Sequence, residues 1–386
     1  MSSISTLLHK FRRITNSGNY MPEIDGLRFI AIFLVAFLMH IGTLLQSAQL
    51  GIDADRNTVF FSLIWEGGYG VQIFFMISGF ILSLPFGQEK LLNQGKVTLK
   101  NYYRKRLTRI EPPYIICLIL YFILRVFFLH YSSFKELLPH FFASLFYVHN
   151  IVYQSSSAVN GVAWTLEIEV QFYLLAPILT SIYYLKNIIL RRSVFAFLII
   201  SSTILFSKSE FTYPVTLIDK LNFFMCGMLL ADLYLLRKNG SDGWITAILA
   251  IAVFFIYLFV PTIEYENVYL CCLKIVAMAL FFYTAITNRQ LKQILSIKVI
   301  TVIGGMCYSI YLLHMGIYGI MRHKFFTIKF FGNSQLNIAI HYCLAVIIVL
   351  IISGAFFLLV EKPTMRKDWH KGIFKKNRGV TYNPQS

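Results

Sequence analysis

About ten stretches of this chain run for close to twenty residues with almost no charge, each long enough to cross a ~30 Å hydrocarbon layer as a helix. That repetition decides the fold class, because a segment in lipid must satisfy its own backbone hydrogen bonds. Of 386 residues, 57% are hydrophobic and only 14% charged, which leaves no segment outside the membrane able to bury a core of its own. The expectation is an all-α polytopic membrane protein of about ten transmembrane helices plus one re-entrant or interfacial segment, with both termini cytoplasmic.

The runs expected to cross are Leu27–Gln46, Tyr69–Pro85, Pro113–Leu129, Thr165–Tyr184, Val194–Phe206, Asp219–Leu236, Ile245–Val260, Val268–Ala285, Val299–Ile320 and Leu336–Val360. Charge orients them. The connection with Asp53, Asp55 and Glu66 against Arg56 reads as external, and so does the one with Glu264 and Glu266. Gly87 to Pro112, with seven basic and two acidic residues, reads as a cytoplasmic loop whose Pro112-Pro113 pair opens the next helix. Lys186, Arg191, Arg192, Arg237, Lys238, Arg289, Lys292 and Lys298 fall on the same side. His140 to Tyr153 is too short to span and would reverse these signs if it did, so it reads as the re-entrant or interfacial piece.

The expected division is a cytoplasmic N-terminal segment at 1–20, a membrane domain at 21–363 and a basic cytoplasmic tail at 364–386. Lys10, Arg12 and Arg13 ahead of an apolar run resemble the start of a signal peptide. The run is about twenty residues long with no small-residue cleavage site, so a retained first crossing is expected. The net charge of +17 fits cytoplasmic loops facing anionic lipid in the plasma or inner membrane rather than nucleic acid. The six cysteines show neither disulfide nor zinc spacing, and no metal site is expected.

The ionisable residues inside apolar runs are the candidates for chemistry, since charge at membrane depth is costly. Arg28 opens the first run and His40 lies deep in it, about 18 Å further along a regular helix. Glu169 and His314 fall at a similar depth, and a histidine beside a carboxylate can take a proton from a hydroxyl. Arg106 and Arg109, three residues apart, share one helical face suited to phosphate oxygens, or to lipid headgroups. Packing accounts for any one of these residues: a helix-to-helix hydrogen bond for a histidine, an ion pair for Glu169.

Five blocks in order resemble the acyltransferase-3 family of integral membrane acyltransferases. They are Asp25-Gly-Leu-Arg28 with His40; Gly70 to Phe80 with Ser78-Gly79; Tyr103 to Pro112 with Arg106 and Arg109; Trp164-Thr-Leu-Glu-Ile-Glu169 with Gln171 and Tyr173; and Tyr308-Ser-Ile-Tyr-Leu-Leu-His314. Glu361-Lys-Pro363 is a weaker echo. The resemblance implies transfer of an acyl group, usually acetyl, from cytoplasmic acyl-CoA to a hydroxyl of a glycan or glycolipid on the far side of the membrane. It implies acetyl-CoA as co-substrate with no permanently bound cofactor, His40 as the essential histidine with Arg28 its partner, Arg106 and Arg109 on the donor, and Glu169 as the acidic position. Asp25, Ser78, Trp164, Tyr173 and His314 are expected to support them. The resemblance is to the membrane domain alone, without the longer members' extra periplasmic hydrolase-like domain, so acceptor handling is expected to fall to the membrane domain or a partner.

One departure bears on mechanism. Eleven residues separate Arg28 from His40, where the family usually has ten. On a regular helix this swings the histidine from about 20° to about 120° off the arginine's face, and a π-bulge would restore it. Two other readings stay open: a proton-coupled transporter or flippase, with histidine and carboxylate as its relay, and a degenerate member that binds acyl-CoA without turnover.

Overall fold

The computed structural model describes residues 9–14, 20–47, 64, 66–208, 214–237, 242–259, 267–326, 328 and 330–366. Asp53, Asp55, Arg56, Lys238, Glu264, Glu266, the tail past 366 and parts of the N-terminal segment (1–8 and 15–19) lie outside them.

The described residues form helices and no strands. The first, α1, starts at Pro22–Ile32, continues π-helical over Phe33–His40 and ends as Ile41–Ser47. Then come α2 (Tyr69–Leu92), α3 (Leu99–Ile123, with a π-helical end at Leu124–Phe128), α4 (Phe134–Leu145) and α5 (His149–Tyr153). The centre of the chain holds α6 (Trp164–Leu179), α7 (Ile188–Lys208), α8 (Leu217–Leu235) and α9 (Trp244–Phe259). It closes with α10 (Val268–Thr287), α11 (Arg289–Leu295), α12 (Lys298–Gly305), α13 (Cys307–Lys324) and α14 (Ser334–Phe356).

Among the described residues, seven helices are long and apolar enough to cross a membrane, and an eighth span arises if α12 and α13, bent by 67°, are taken together. All ten expected runs are helical, but α9 is short and α8 carries Asp219, Lys220 and Asp232. The segment from His140 to Tyr153 is the end of α4 and all of α5, both too short to span.

Two boundaries differ from the sequence reading. The basic stretch before Pro112 is not a loop: α3 begins at Leu99 and runs through both prolines. Prolines are tolerated in packed membrane helices. Pro112 and Pro113 leave the carbonyls of Thr108 and Arg109 without a helical donor, and next to them the Tyr308 hydroxyl donates to the Ile110 carbonyl (3.0 Å) and ties this stretch of α3 to α13. Arg106 and Arg109 are therefore held on a rigid helix. Arg191 and Arg192, read as loop cations, lie in the first turns of α7, where both bond the buried Asp232 of α8 (2.5 and 2.9 Å).

Packing divides into two cores. One gathers α2, α8 and α10 around Phe80, Phe224 and Phe282; the other gathers α3, α13 and α14 around Tyr114, Leu312 and Val349. The first is tight because α2 and α8 cross at paired glycines. A Cβ on Gly79 would fall 2.1 Å from the Phe224 carbonyl oxygen, and one on Gly227 would fall 2.1 Å from that of Met76. Phe74 and Val170 pack against both cores, and the site lies along that seam.

Candidate active site

A cavity opens between α1, α2, α3, α6 and α13, with about 910 Å³ of open volume counting its mouth. Six of the residues singled out from sequence line it: Arg28, Ser78, Arg106, Arg109, Glu169 and Tyr173.

Its cationic wall is built in two ways. Arg28 Nη1 donates to Asp25 Oδ1 one turn earlier (2.6 Å), and Arg13 Nη1 donates to the same oxygen (3.2 Å). The Tyr20 hydroxyl donates to Asp25 Oδ2 (3.0 Å), and burial beside that carboxylate pushes the phenol up to about 12, so it stays a donor. Asp25 thus orients Arg28. Arg106 and Arg109 contrast with it: among the described residues neither forms an ion pair or a hydrogen bond, and Arg106 Nε is buried without a partner. The Arg106 guanidinium lies over the Tyr102 ring at 5.9 Å. Unpaired guanidinium groups facing one cavity suit a phosphate-bearing ligand.

Glu169 stands opposite on α6 and accepts from the Ser78 hydroxyl of α2 (2.6 Å). Sequence reasoning offered Glu169, or some other acceptor, as the group that orients His40. In the structure Glu169 turns to Ser78, and the ring of His40 meets α13 instead. His40 Nδ1 lies 2.8 Å from His314 Nε2, with ring centroids 4.9 Å apart.

Neither histidine lines the cavity. Between them and it stands Tyr311, one turn before His314 on α13, whose ring contacts Phe74 on one side and His314 on the other. The Tyr311 hydroxyl is tied to Thr165 and to the Val162 carbonyl. Trp164 opens α6 and packs against the first core without reaching the cavity. Tyr308 and Tyr311 were not singled out from sequence as site residues. Tyr308, Tyr311 and His314 recur at three-residue spacing, and reading that block as one helical face would have found them.

The π-helical segment of α1 places His40. Its eight residues wind less per residue than a regular helix, which turns the twelve-residue step from Arg28 back towards the rotation of eleven regular ones. The Tyr318 hydroxyl of α13 donates to the Ala36 carbonyl inside that segment (3.0 Å). Among the described residues no group of three or more His, Cys, Asp or Glu could hold a metal.

Helices long and apolar enough to cross a membrane thus enclose a cavity lined by three arginines, with a buried histidine pair behind Tyr311. The chain belongs to the acyltransferase-3 family, matching its acyltransferase domain over residues 21–358. It is 24% identical over 404 residues to O-acetyltransferase OatA of Staphylococcus aureus (strain NCTC 8325 / PS 47), an alignment covering 94% of this chain and 60% of that protein. It is 31% identical over 183 residues to peptidoglycan O-acetyltransferase OatA of Listeria monocytogenes, covering 44% of this chain and 26% of that protein. A putative acetyltransferase, ORF330, of Acidianus two-tailed virus is 27% identical over 317 residues, covering 79% of this chain and 86% of that protein. No solved structure matches. The chain spans about 60% of the length of the Staphylococcus relatives.

Proposed function

We propose that this chain is a membrane-bound O-acyltransferase moving an acetyl group from cytoplasmic acetyl-CoA to a hydroxyl of a cell-envelope glycan on the opposite face of the plasma or inner membrane. The observation that carries this reading is the unpaired Arg106 and Arg109, with Arg28, in one cavity whose far wall is Tyr311 against the His40–His314 pair. The arginines hold the coenzyme's phosphates, and the flexible pantetheine arm carries the thioester along the cavity to its Tyr311 wall, which must swing aside for the thioester to meet His40. His40 takes the proton from the acceptor hydroxyl as its oxygen attacks the thioester carbonyl. The carbon–sulfur bond then breaks, and His40 returns the proton to the departing thiolate.

The reading as a degenerate, merely binding member drew its weight from the altered Arg28–His40 spacing. The π-helical turn takes up that extra residue. A glycan acceptor is in keeping with the relatives' names, one of which specifies peptidoglycan. Mass analysis of envelope glycans from cells with and without the protein tests the proposal. Acetyl groups present only with the protein support it. Identical glycans together with export of an unmodified substrate would replace it with the transporter reading.

A further inference from the structure

The hydrogen bonds of His314 reveal which nitrogen of His40 is left for chemistry. His314 Nδ1 lies 2.8 Å from the Tyr311 carbonyl oxygen and 3.0 Å from that of Ile310. Carbonyl oxygens only accept, so this nitrogen carries a proton. His314 is fully buried, and among the described residues no carboxylate pairs with it, so an imidazolium there would be an unpaired charge in a dry core. A neutral ring protonated at Nδ1 presents a lone pair at Nε2, the atom 2.8 Å from His40 Nδ1. That contact is a hydrogen bond only if His40 Nδ1 is the donor. In a neutral His40, Nε2 is then unprotonated, and among the described residues nothing bonds to it.

We propose that His314 is a positioning residue that holds His40 in its Nδ1–H tautomer, which makes Nε2 of His40 the base for acyl transfer. The second half of this rests on the acyltransferase reading; the tautomer assignment does not. The chain of donors runs in one direction, from His40 Nδ1–H to His314 Nε2 and from His314 Nδ1–H to the carbonyls of its own helix. A histidine with an acceptor behind it is oriented as well as primed. When His40 Nε2 takes the hydroxyl proton, the new oxygen–carbon bond forms and the ring becomes a cation. Its Nδ1–H still has the His314 lone pair to donate to. As the carbon–sulfur bond breaks, the Nε2 proton passes to the thiolate sulfur, and His40 returns to its starting tautomer with His314 unchanged.

The anchoring carbonyls explain why this partner suits the task. Both belong to the turn of α13 that precedes His314, so the ring is held by its own helix and cannot flip without losing both bonds.

The test is nitrogen NMR on histidine-labelled full-length protein in lipid nanodiscs, with the His40 signals assigned by their loss in His40→Gln. The expected spectrum has His40 protonated at Nδ1 and bare at Nε2. His40 protonated at Nε2 instead would overturn the proposal. In parallel, His314→Phe, which removes the acceptor, should lower kcat by about 100-fold or more with the KM for acetyl-CoA within about threefold. His314→Gln, whose amide oxygen can accept the Nδ1–H, should recover activity to within about tenfold of wild type. Equal losses in the two variants, or wild-type kcat in His314→Phe, would overturn the positioning role. If His314→Phe no longer binds acetyl-CoA it has misfolded, and the wild-type spectrum alone decides. A wild-type protein with the expected spectrum but no acetylated product would overturn the acyltransferase reading and uphold the tautomer assignment.

Discussion

Arg28 and His40 lie on one continuous helix, and the segment Phe33–His40 that joins them is π-helical. The arginine lines the cavity while the histidine bonds His314, so this single helix links the cationic end of the site to its candidate base. The irregular turn is where the chain accommodates one residue more than the family's usual spacing, and π turns favour functional sites.

That relationship can be tested by changing the register. Inserting one alanine after Phe33, a residue exposed at 40%, should rotate His40 by about 100° and cut kcat by about 100-fold while acetyl-CoA still binds. Deleting Phe33 should be tolerated, because a regular helix then gives the same alignment. Steady-state kinetics of both variants check this, and a fully active insertion variant would contradict it.

Arg106 and Arg109 should act on donor binding. Arg106→Ala and Arg109→Ala should each raise the KM for acetyl-CoA about tenfold or more with little change in kcat, since the phosphates are bound alike before and during transfer. The affinity of the wild type should also fall with added salt more steeply than that of either variant. Steady-state kinetics check the first statement and titration calorimetry at two salt concentrations the second.

Ser78 and Glu169 form a pair across the cavity at 2.6 Å. Ser78→Ala removes a donor from a carboxylate in a low-dielectric site, a loss of about 1–3 kcal/mol. Transfer should slow about tenfold. Glu169→Ala should slow it at least as much, and the double variant should show far less than the product of the two losses. A double-mutant cycle on kcat/KM measures that coupling.

Gly79 and Gly227 let α2, which lines the cavity, pack closely on α8. Gly79→Ala and Gly227→Ala each place a methyl where a backbone carbonyl oxygen stands 2.1 Å away. Each should destabilise the protein by about 1–3 kcal/mol through overpacking. Thermal unfolding in detergent should show a lower Tm for both variants.

Much of this was legible in the sequence for a physical reason: lipid admits ionisable groups only where they are used or paired, so Arg28 and Glu169 stood out against apolar runs, while Arg106 and Arg109 were picked by their three-residue spacing in a basic stretch, and all four line one cavity. The family blocks supplied Ser78 and Tyr173. What could not be read were partners distant along the chain. Nothing local in the sequence says that His40 bonds His314, 274 residues away, rather than Glu169. Nor does sequence reveal that Arg191 and Arg192 serve Asp232, or that α3 passes through Pro112 and Pro113. Proline reads as a helix start wherever tertiary hydrogen bonds are invisible. Tyr311 was hidden because a tyrosine in an apolar helix looks like packing until its ring is seen between a cavity and a histidine.

The central claim is that an imidazole inside the bilayer joins a donor held by arginines to an alcohol from the other face. It is tested most directly by supplying labelled acetyl-CoA and a glycan acceptor to proteoliposomes holding wild type or His40→Ala, and measuring bound donor and acetylated glycan in one turnover. The account predicts that His40→Ala binds acetyl-CoA as wild type does and forms no acetylated glycan. Acetylated glycan produced by His40→Ala at the wild-type rate would contradict it.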